Sequence, residues 1–295
     1  MHPTRRGDTL DGRMRRRTRI LIALNLLAIA AGLYGLGFLW PATGRTNSPM
    51  LLVAHRGDVA NEPENTIAAF RSAVDSGADG IEMDVQRSAS GTWWVIHDLT
   101  VERTTDGEGP IAALRDVDLE QLLITGGVGY DADKHRNAYG VPSLTSVLDE
   151  LEDFHGRLYL HVKATDLDSF RQVGDLVSAK GLASRTAVIA EEPDQLAAIK
   201  AVDRRIRTLL LHDSLGFPED APSVDAWLTS RHRITRADLV AWRPYDVEVF
   251  VDSRLAGTDE SGSLEKAHRW NVAAFFTNDL RGMRDVLERL ERQES

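Results

Sequence analysis

The chain has 295 residues, 42% of them hydrophobic and 27% charged, and it contains no cysteine. Disulfides, thiolate metal sites and a cysteine nucleophile are therefore excluded, and stability must come from a buried core. Seven arginines against Asp8 and Asp11 give residues 1–19 a net of +5, so the rest carries −15 of the overall −10; so acidic a body argues against nucleic acid as a partner, because phosphate backbones need a basic surface.

After the arginine-rich tail (1–19), Ile20 to Trp40 is a 21-residue run without a charge, its only amide being Asn25. At about 1.5 Å per residue it is long enough for a hydrocarbon core of roughly 30 Å. Arg13, Arg15, Arg16, Arg17 and Arg19 precede it, so the positive-inside rule places the N-terminus in the cytoplasm and the C-terminal remainder of the chain outside it. A cleaved leader is the alternative, but the run is longer than the usual leader core and no Ala-x-Ala site comes after it. Residues 41–49 read as a linker. The remaining 245 or so residues, 50–295, show no internal repeat and suit one α/β domain, a (β/α)8 (TIM) barrel.

Within that domain, apolar, β-branched runs alternate with helical stretches, the pattern of a parallel sheet. Strands are expected at Leu51–His55, Gly80–Val85, Leu158–Lys163, Thr186–Ala190, Arg207–Leu211, Asp225–Thr229, Val247–Val251 and Ala273–Thr277. Helices are expected at Thr66–Ser76, Asp118–Leu123, Leu144–Glu152, Leu167–Lys180, Pro193–Val202, Arg236–Trp242, Ser263–Trp270 and Leu280–Arg292. Thr92 to His97 breaks the alternation: it comes too soon after the second strand for a crossover helix. It reads as a hairpin arm whose turn at Ala89–Ser90 pairs Asp84 with Val95 and Glu82 with His97, bringing His97 back to the carboxylates. On this arm Trp93 and Trp94 alternate faces, one available to a lipid surface and the other to the core.

Glu82 and Asp84, two apart on a strand, share one face. Pointed into a barrel mouth they repel unless a cation lies between them, and hard oxygen donors suit Mg²⁺ or Ca²⁺. The alternative is a solvated acidic face, with Ile81, Met83 and Val85 buried. His55 and His97 end neighbouring runs and suit proton transfer in both directions near neutral pH, where a lone histidine would simply be packed. Arg56 offers a fork of donors to a phosphate oxygen, against the alternative of a surface ion pair. Glu64 and Asn65 can orient Arg56 or its loop, and Asn65 reads first as the cap of the helix starting at Thr66.

His55-Arg56-Gly57, Pro63-Glu64-Asn65, Glu82-Met83-Asp84 and His97-Asp98 stand in order within 44 residues. Together they resemble the glycerophosphodiester phosphodiesterase family, marked by HRG, PEN, E-x-D and HD segments. The resemblance implies a TIM-barrel hydrolase that cleaves glycerophosphodiesters to sn-glycerol 3-phosphate and an alcohol. It also implies a divalent metal at Glu82 and Asp84, His55 and His97 as acid and base, and Arg56, Lys163 and Glu64 around the substrate phosphate. Where the family's next strand reads Glu-x-Lys, the glutamate being a third metal ligand, this chain has His161-Val162-Lys163. A neutral imidazole removes one charge and is a softer donor, which opens the site to Mn²⁺, Co²⁺ or Zn²⁺; the alternative is that His161 packs in the barrel core.

The last strand ends Thr277-Asn278-Asp279 where the family commonly has Thr-Asp, and Val249-Phe250-Val251 stands where a tryptophan is frequent; both read as pocket or packing drift. His135, His155, His212, His232 and His268 lack motif support and read as surface or loop residues. Two other functions compete. One is a lysophospholipase D-type activity on membrane lysolipids; the other is a catalytically weak envelope-binding relative, motivated by His161.

Overall fold

Eight short runs rich in Val, Ile, Leu, Ala and Phe are buried along nearly their whole length, as strands covered by helices on one face and by each other's side chains on the other must be. The computed structural model of the chain describes residues 49–136, 138–211, 224–229, 236–242, 247–252 and 260–294. Among these, β1 (Leu51–Ala54), β2 (Gly80–Arg87), β4 (Arg157–Val162), β5 (Thr186–Ala190), β6 (Arg207–Leu211), β7 (Ala226–Thr229), β8 (Glu248–Asp252) and β9 (Ala274–Thr277) pair in parallel. β1 bonds both β9 and β2, so the sheet closes into an eight-stranded barrel. The helices between strands are α1 (Ile67–Asp75), α2 (Asp116–Leu119), α3 (Ala132–His135), α4 (Leu144–Glu150), α5 (Leu167–Ala179), α6 (Pro193–Val202), α7 (Arg236–Trp242), α8 (Glu260–Arg269) and α9 (Leu280–Glu294). All eight expected strands are present, as are seven of the eight expected helices; the eighth, expected at Asp118–Leu123, is a single turn at Asp116–Leu119, and the single-turn α3 was not foreseen. The membrane anchor expected at Ile20–Trp40 lies outside the described residues, among which no helix is long and apolar enough to cross a membrane.

The barrel interior is filled from alternate strand positions. Val53, Tyr159, Ala187, Ile189, Leu209, Ala226, Leu228, Phe250, Ala274 and Phe276 form one buried cluster. The Tyr159 ring meets those of Phe250 and Phe276 edge-on, at 5.9 and 5.3 Å between centroids. Because side chains alternate along a strand, Val53, Tyr159 and Phe276 fix the inward phase of their strands. His55, His161 and Asn278, each two residues further on, inherit it and emerge at the C-terminal mouth. This is where active sites are built on such barrels.

The hairpin arm is real, with its register one residue from expectation. β3 (Trp93–Val95) runs antiparallel to β2, with Val85 opposite Val95 and Gln86 opposite Trp94. A two-residue turn at Ala89–Ser90 would pair Ser88 with Gly91. Instead Ser88 N–H donates to Thr92 O at 2.9 Å and Gly91 N–H to Ser88 O at 3.0 Å, a three-residue loop with Gly91 at φ +92°. Glycine is the residue that takes this left-handed position without strain.

From β3 the chain builds a cap, residues 96–143, before α4. Its own core unites Trp94, Ile96, Val101, Ile111, Leu119, Ile124 and Val141. Trp93 and Trp94 are both buried, and Trp94 Nε1 donates to Asp116 Oδ1 at 3.1 Å. Neither therefore presents its ring to a lipid surface; the cap core, unforeseen as a packed layer, takes in Trp94. His135, expected at the surface, is buried in the same cap between Tyr130 and Tyr139, and its Nδ1 accepts from Asp131 N–H at 2.9 Å.

Candidate active site

On β2, Glu82 lies beside Tyr159 of β4, and Asp84 beside His161. Since Tyr159 fills the barrel, the register turns both carboxylates inward, and they are 2% and 1% exposed. Ile81, Met83 and Val85 are fully buried too, under the helices. A solvated acidic face is thereby ruled out. Two carboxylates so placed divide their protonation. Burial, and then the neighbouring Asp84 charge, push the Glu82 carboxyl well above its usual range. Burial works against Asp84 as well, yet Lys163, His161 and Arg56 outweigh it and hold that carboxyl far below its usual range.

Lys163 Nζ sits 3.2 Å from Asp84 Oδ1 and donates to His161 Nδ1 at 3.1 Å. Burial, and next the Lys163 ammonium, push the His161 imidazole down to about 3. His161 is thus neutral at ordinary pH, and its 3.5 Å approach to Asp84 Oδ1 is a contact of two donor atoms, not an ion pair. One ligand atom each from Glu82, Asp84 and His161 lie within 4.8 Å of one another. Two buried carboxylates, one of them forced toward its neutral form, and a neutral imidazole fit a divalent cation, whose charge would relieve that desolvation.

The loop after β1 carries the cationic side of the site. Arg56 N–H donates to Glu82 Oε2 at 3.0 Å, its Nη1 to Glu64 Oε2 at 3.2 Å, and its Nε lies 3.2 Å from Asp84 Oδ2. Its backbone takes φ +59°, a left-handed conformation that a non-glycine residue adopts at a cost of about 1–2 kcal/mol. Gly57, at φ +90°, brings the chain so near α1 that an added Cβ would lie 2.6 Å from Ala69 Cβ. Arg56 is therefore clamped between three carboxylates, not paired at the surface. Asn65 is not the helix cap, because Thr66 Oγ1 accepts from Ala69 N–H at 3.1 Å in that role. Asn65 instead takes φ +57° and turns its amide onto Asp84.

His55 and His97 are held by different partners. His55 Nδ1 lies 2.9 Å from Asn278 Oδ1, and its Nε2 3.9 Å from Glu82 Oε2. His97 Nδ1 lies 2.6 Å from Asp98 Oδ1. Gln86 Nε2 donates to the carbonyls of Ile96 at 3.2 Å and His97 at 2.9 Å, and to that of Asp98, anchoring the segment. Ile96 N–H donates to Asp84 O at 3.0 Å, so His97 follows directly beside the carboxylate strand, at the end of the barrel where His55 Nε2 nears Glu82. All eight expected site residues thus gather at one mouth. Sequence reasoning missed Gln86, gave Asp98 no role beyond its motif, and read Asn278 as drift. The inward phase set by Phe276 was the signal available for Asn278.

Residues 55–213, more than half of the chain, match the model of the glycerophosphoryl diester phosphodiesterase family. The chain belongs to that family. The match opens on His55 and takes in both histidines, both carboxylates, His161 and Lys163, while Asn278 lies beyond it. A glycerophosphodiester phosphodiesterase of Caldanaerobacter subterraneus is 57% identical over 72 residues, 24% of this chain and 28% of that one. The chain spans less than half the length of several curated relatives it matches. The crystal structure of a glycerophosphodiester phosphodiesterase from Agrobacterium tumefaciens is 25% identical, with a TM-score of 0.63 over 79% of this chain and 98% of the other. An Oleispira antarctica phosphodiesterase in complex with the product sn-glycerol-3-phosphate shares the fold, with a TM-score of 0.71 at 18% identity over 81% of this chain and 96% of that one.

Proposed function

We propose that this glycerophosphodiester phosphodiesterase family member is a metal-dependent hydrolase that converts glycerophosphodiesters to sn-glycerol 3-phosphate and an alcohol. One observation carries the reading: buried Glu82 and Asp84 and the half-buried His161 share the barrel mouth with two histidines, each with its Nδ1 already engaged and its Nε2 left for chemistry. A diester phosphate entering the mouth meets the Arg56 guanidinium and the Lys163 ammonium, which offset the charge of its non-bridging oxygens. One histidine removes a proton from the attacking oxygen and the other delivers a proton to the departing alkoxide, one water being consumed overall whether it attacks first or opens a cyclic phosphate formed by the glycerol hydroxyl. Glu82, Asp84 and His161 would hold a divalent cation, which would further neutralise the phosphoryl charge. Product identity tests the reading: sn-glycero-3-phosphocholine should give sn-glycerol 3-phosphate and choline, and glycerol with phosphocholine would sink it.

Lysolipids are the second substrate reading. Leu99, two residues after His97, is 68% exposed and favours it, since an acyl chain leaving the mouth would cover such a side chain. Choline release from lysophosphatidylcholine, compared with that from the soluble diester, separates the two. The retained His55 and His97 argue against a catalytically weak binding relative. For location, the length of Ile20–Trp40 and the arginines before it support a single-pass anchor with the barrel outside the cytoplasm. Protease added to cells with a permeable outer layer should then digest the barrel, and a protected barrel would refute that topology.

A further inference from the structure

We propose that Arg103, a cap residue to which no role attaches, is a positioning residue that sets His97 and Arg56 in register with each other. The inference rests on the phosphodiesterase reading of the site. Arg103 Nη2 donates to Asp98 Oδ1 at 3.1 Å, and its Nε bonds Asp98 Oδ2, a two-pronged grip on the carboxylate that holds His97. The same Nη2 also bonds Glu64 Oε1, whose other oxygen takes Arg56 Nη1 at 3.2 Å. A single guanidinium thus joins the carboxylate behind the histidine to the carboxylate behind the phosphate-facing arginine.

Those two groups come from different parts of the fold. His97 and Asp98 open the cap, and Arg56 and Glu64 belong to the loop between β1 and α1. Among the described hydrogen bonds, the other link between Glu64 and the cap is pairing with Val128, remote in sequence from His97. Glu64 is 1% exposed at its side chain, so its carboxylate needs charged partners on both oxygens, and Arg103 supplies one. A planar fork can satisfy two carboxylates at fixed spacing, where an ammonium offers one compact charge. In a positioning role, Arg103 touches neither substrate nor metal ligand. Its loss should misplace His97 through Asp98, as loss of an orienting partner commonly lowers activity about 10- to 100-fold.

The test is a double-mutant cycle between Arg103→Met and Asp98→Asn, read as kcat and KM on sn-glycero-3-phosphocholine. The His97 Nδ1–H proton resonance is tracked in parallel, and thermal melting confirms folding. Each single variant should lose kcat with KM little changed, and the double variant should lose no more than the worse single one. Arg103→Met should also move the Nδ1–H signal upfield as the Asp98 contact loosens. Multiplicative losses, a change confined to KM, or wild-type kcat in a folded Arg103→Met would overturn the proposal. If Arg103→Met fails to fold, Arg103→Lys carries the test: it should show a smaller loss in the same direction, and full activity there rejects the role. If the wild type hydrolyses no diester, the phosphodiesterase reading falls by itself. The Nδ1–H signal then decides the positioning claim, since an unmoved signal in the Arg103 variants refutes it.

Discussion

Asn65 and Asp84 exchange two hydrogen bonds across the barrel mouth: Asn65 Nδ2 donates to Asp84 Oδ2 at 3.0 Å, and Asp84 N–H donates to Asn65 Oδ1 at 3.2 Å. The pair ties the loop after β1 to the strand that carries both carboxylates. Asn65 manages this only from a left-handed backbone, φ +57°, which asparagine tolerates better than most residues. Asn65→Gly keeps that backbone and removes both bonds, so it should destabilise the fold by about 1–3 kcal/mol in a denaturant titration. Asn65→Ala adds backbone strain and should cost more. Equal stabilities of all three proteins would show that the exchange holds nothing in place.

His55→Ala and His97→Ala should each lower kcat by about 10² to 10⁴, the usual loss for a proton-transfer group. Both side chains reach solvent, at 14% and 34% exposure, and neither belongs to a hydrophobic cluster, so melting temperatures should change little. Near-wild-type turnover in either folded variant would remove that histidine from the chemistry.

The barrel was legible in the sequence, and the site only partly, because the two are encoded differently. Strands buried on both faces leave continuous apolar runs such as Thr186–Ala190, and the period of 2 turns Glu82 with Asp84 and His161 with Lys163 to one side without further information. The cap has no such pattern. Its core residues, from Trp94 to Val141, are scattered among short bridges and single-turn helices with no period to read. The burial of both tryptophans rather than one, and of His135, was invisible for that reason. Asn278 shares the inward phase of Phe276, but its partner His55 lies 223 residues away, and Arg103 reaches Glu64 across 39; side-chain geometry creates such pairings and local pattern does not name the partner. The hairpin register turned on a single residue, Gly91.

Acid should act on the site through Asp98. The Arg103 hydrogen bonds, against some cost of burial, hold its carboxyl below the usual range in the folded chain. Between that depressed value and the ordinary unfolded value of about 3.9, the unfolded chain binds more protons than the folded one. The stabilisation is therefore complete above about pH 4 and is lost as pH falls through the folded value. Asp98→Asn should give a shallower loss of stability below about pH 4, measured by urea unfolding at several pH values. A slope identical to wild type would mean that Asp98 is not linked to folding.

His161→Glu should shift the activating metal toward Ca²⁺ or Mg²⁺. Two carboxylates and one neutral imidazole carry one charge fewer than three carboxylates, which favours first-row transition ions over Ca²⁺. Titrating metal-stripped wild type and variant with each ion, by calorimetry and by activity, compares the two profiles directly. Coincident profiles would leave His161 as a packing residue beside Lys163.

The most direct measurement is hydrolysis of sn-glycero-3-phosphocholine by chain stripped of metal and then supplied separately with Mg²⁺, Ca²⁺, Mn²⁺, Co²⁺ or Zn²⁺. Stripped protein should be inactive, and at least one ion should restore release of sn-glycerol 3-phosphate. Glu82→Gln and Asp84→Asn should fail to recover with that ion while remaining folded. Full activity after chelation, or no hydrolysis of any glycerophosphodiester or lysolipid by folded chain with any of these ions, would contradict a metal-assisted phosphodiesterase centred on Glu82, Asp84 and the two histidines.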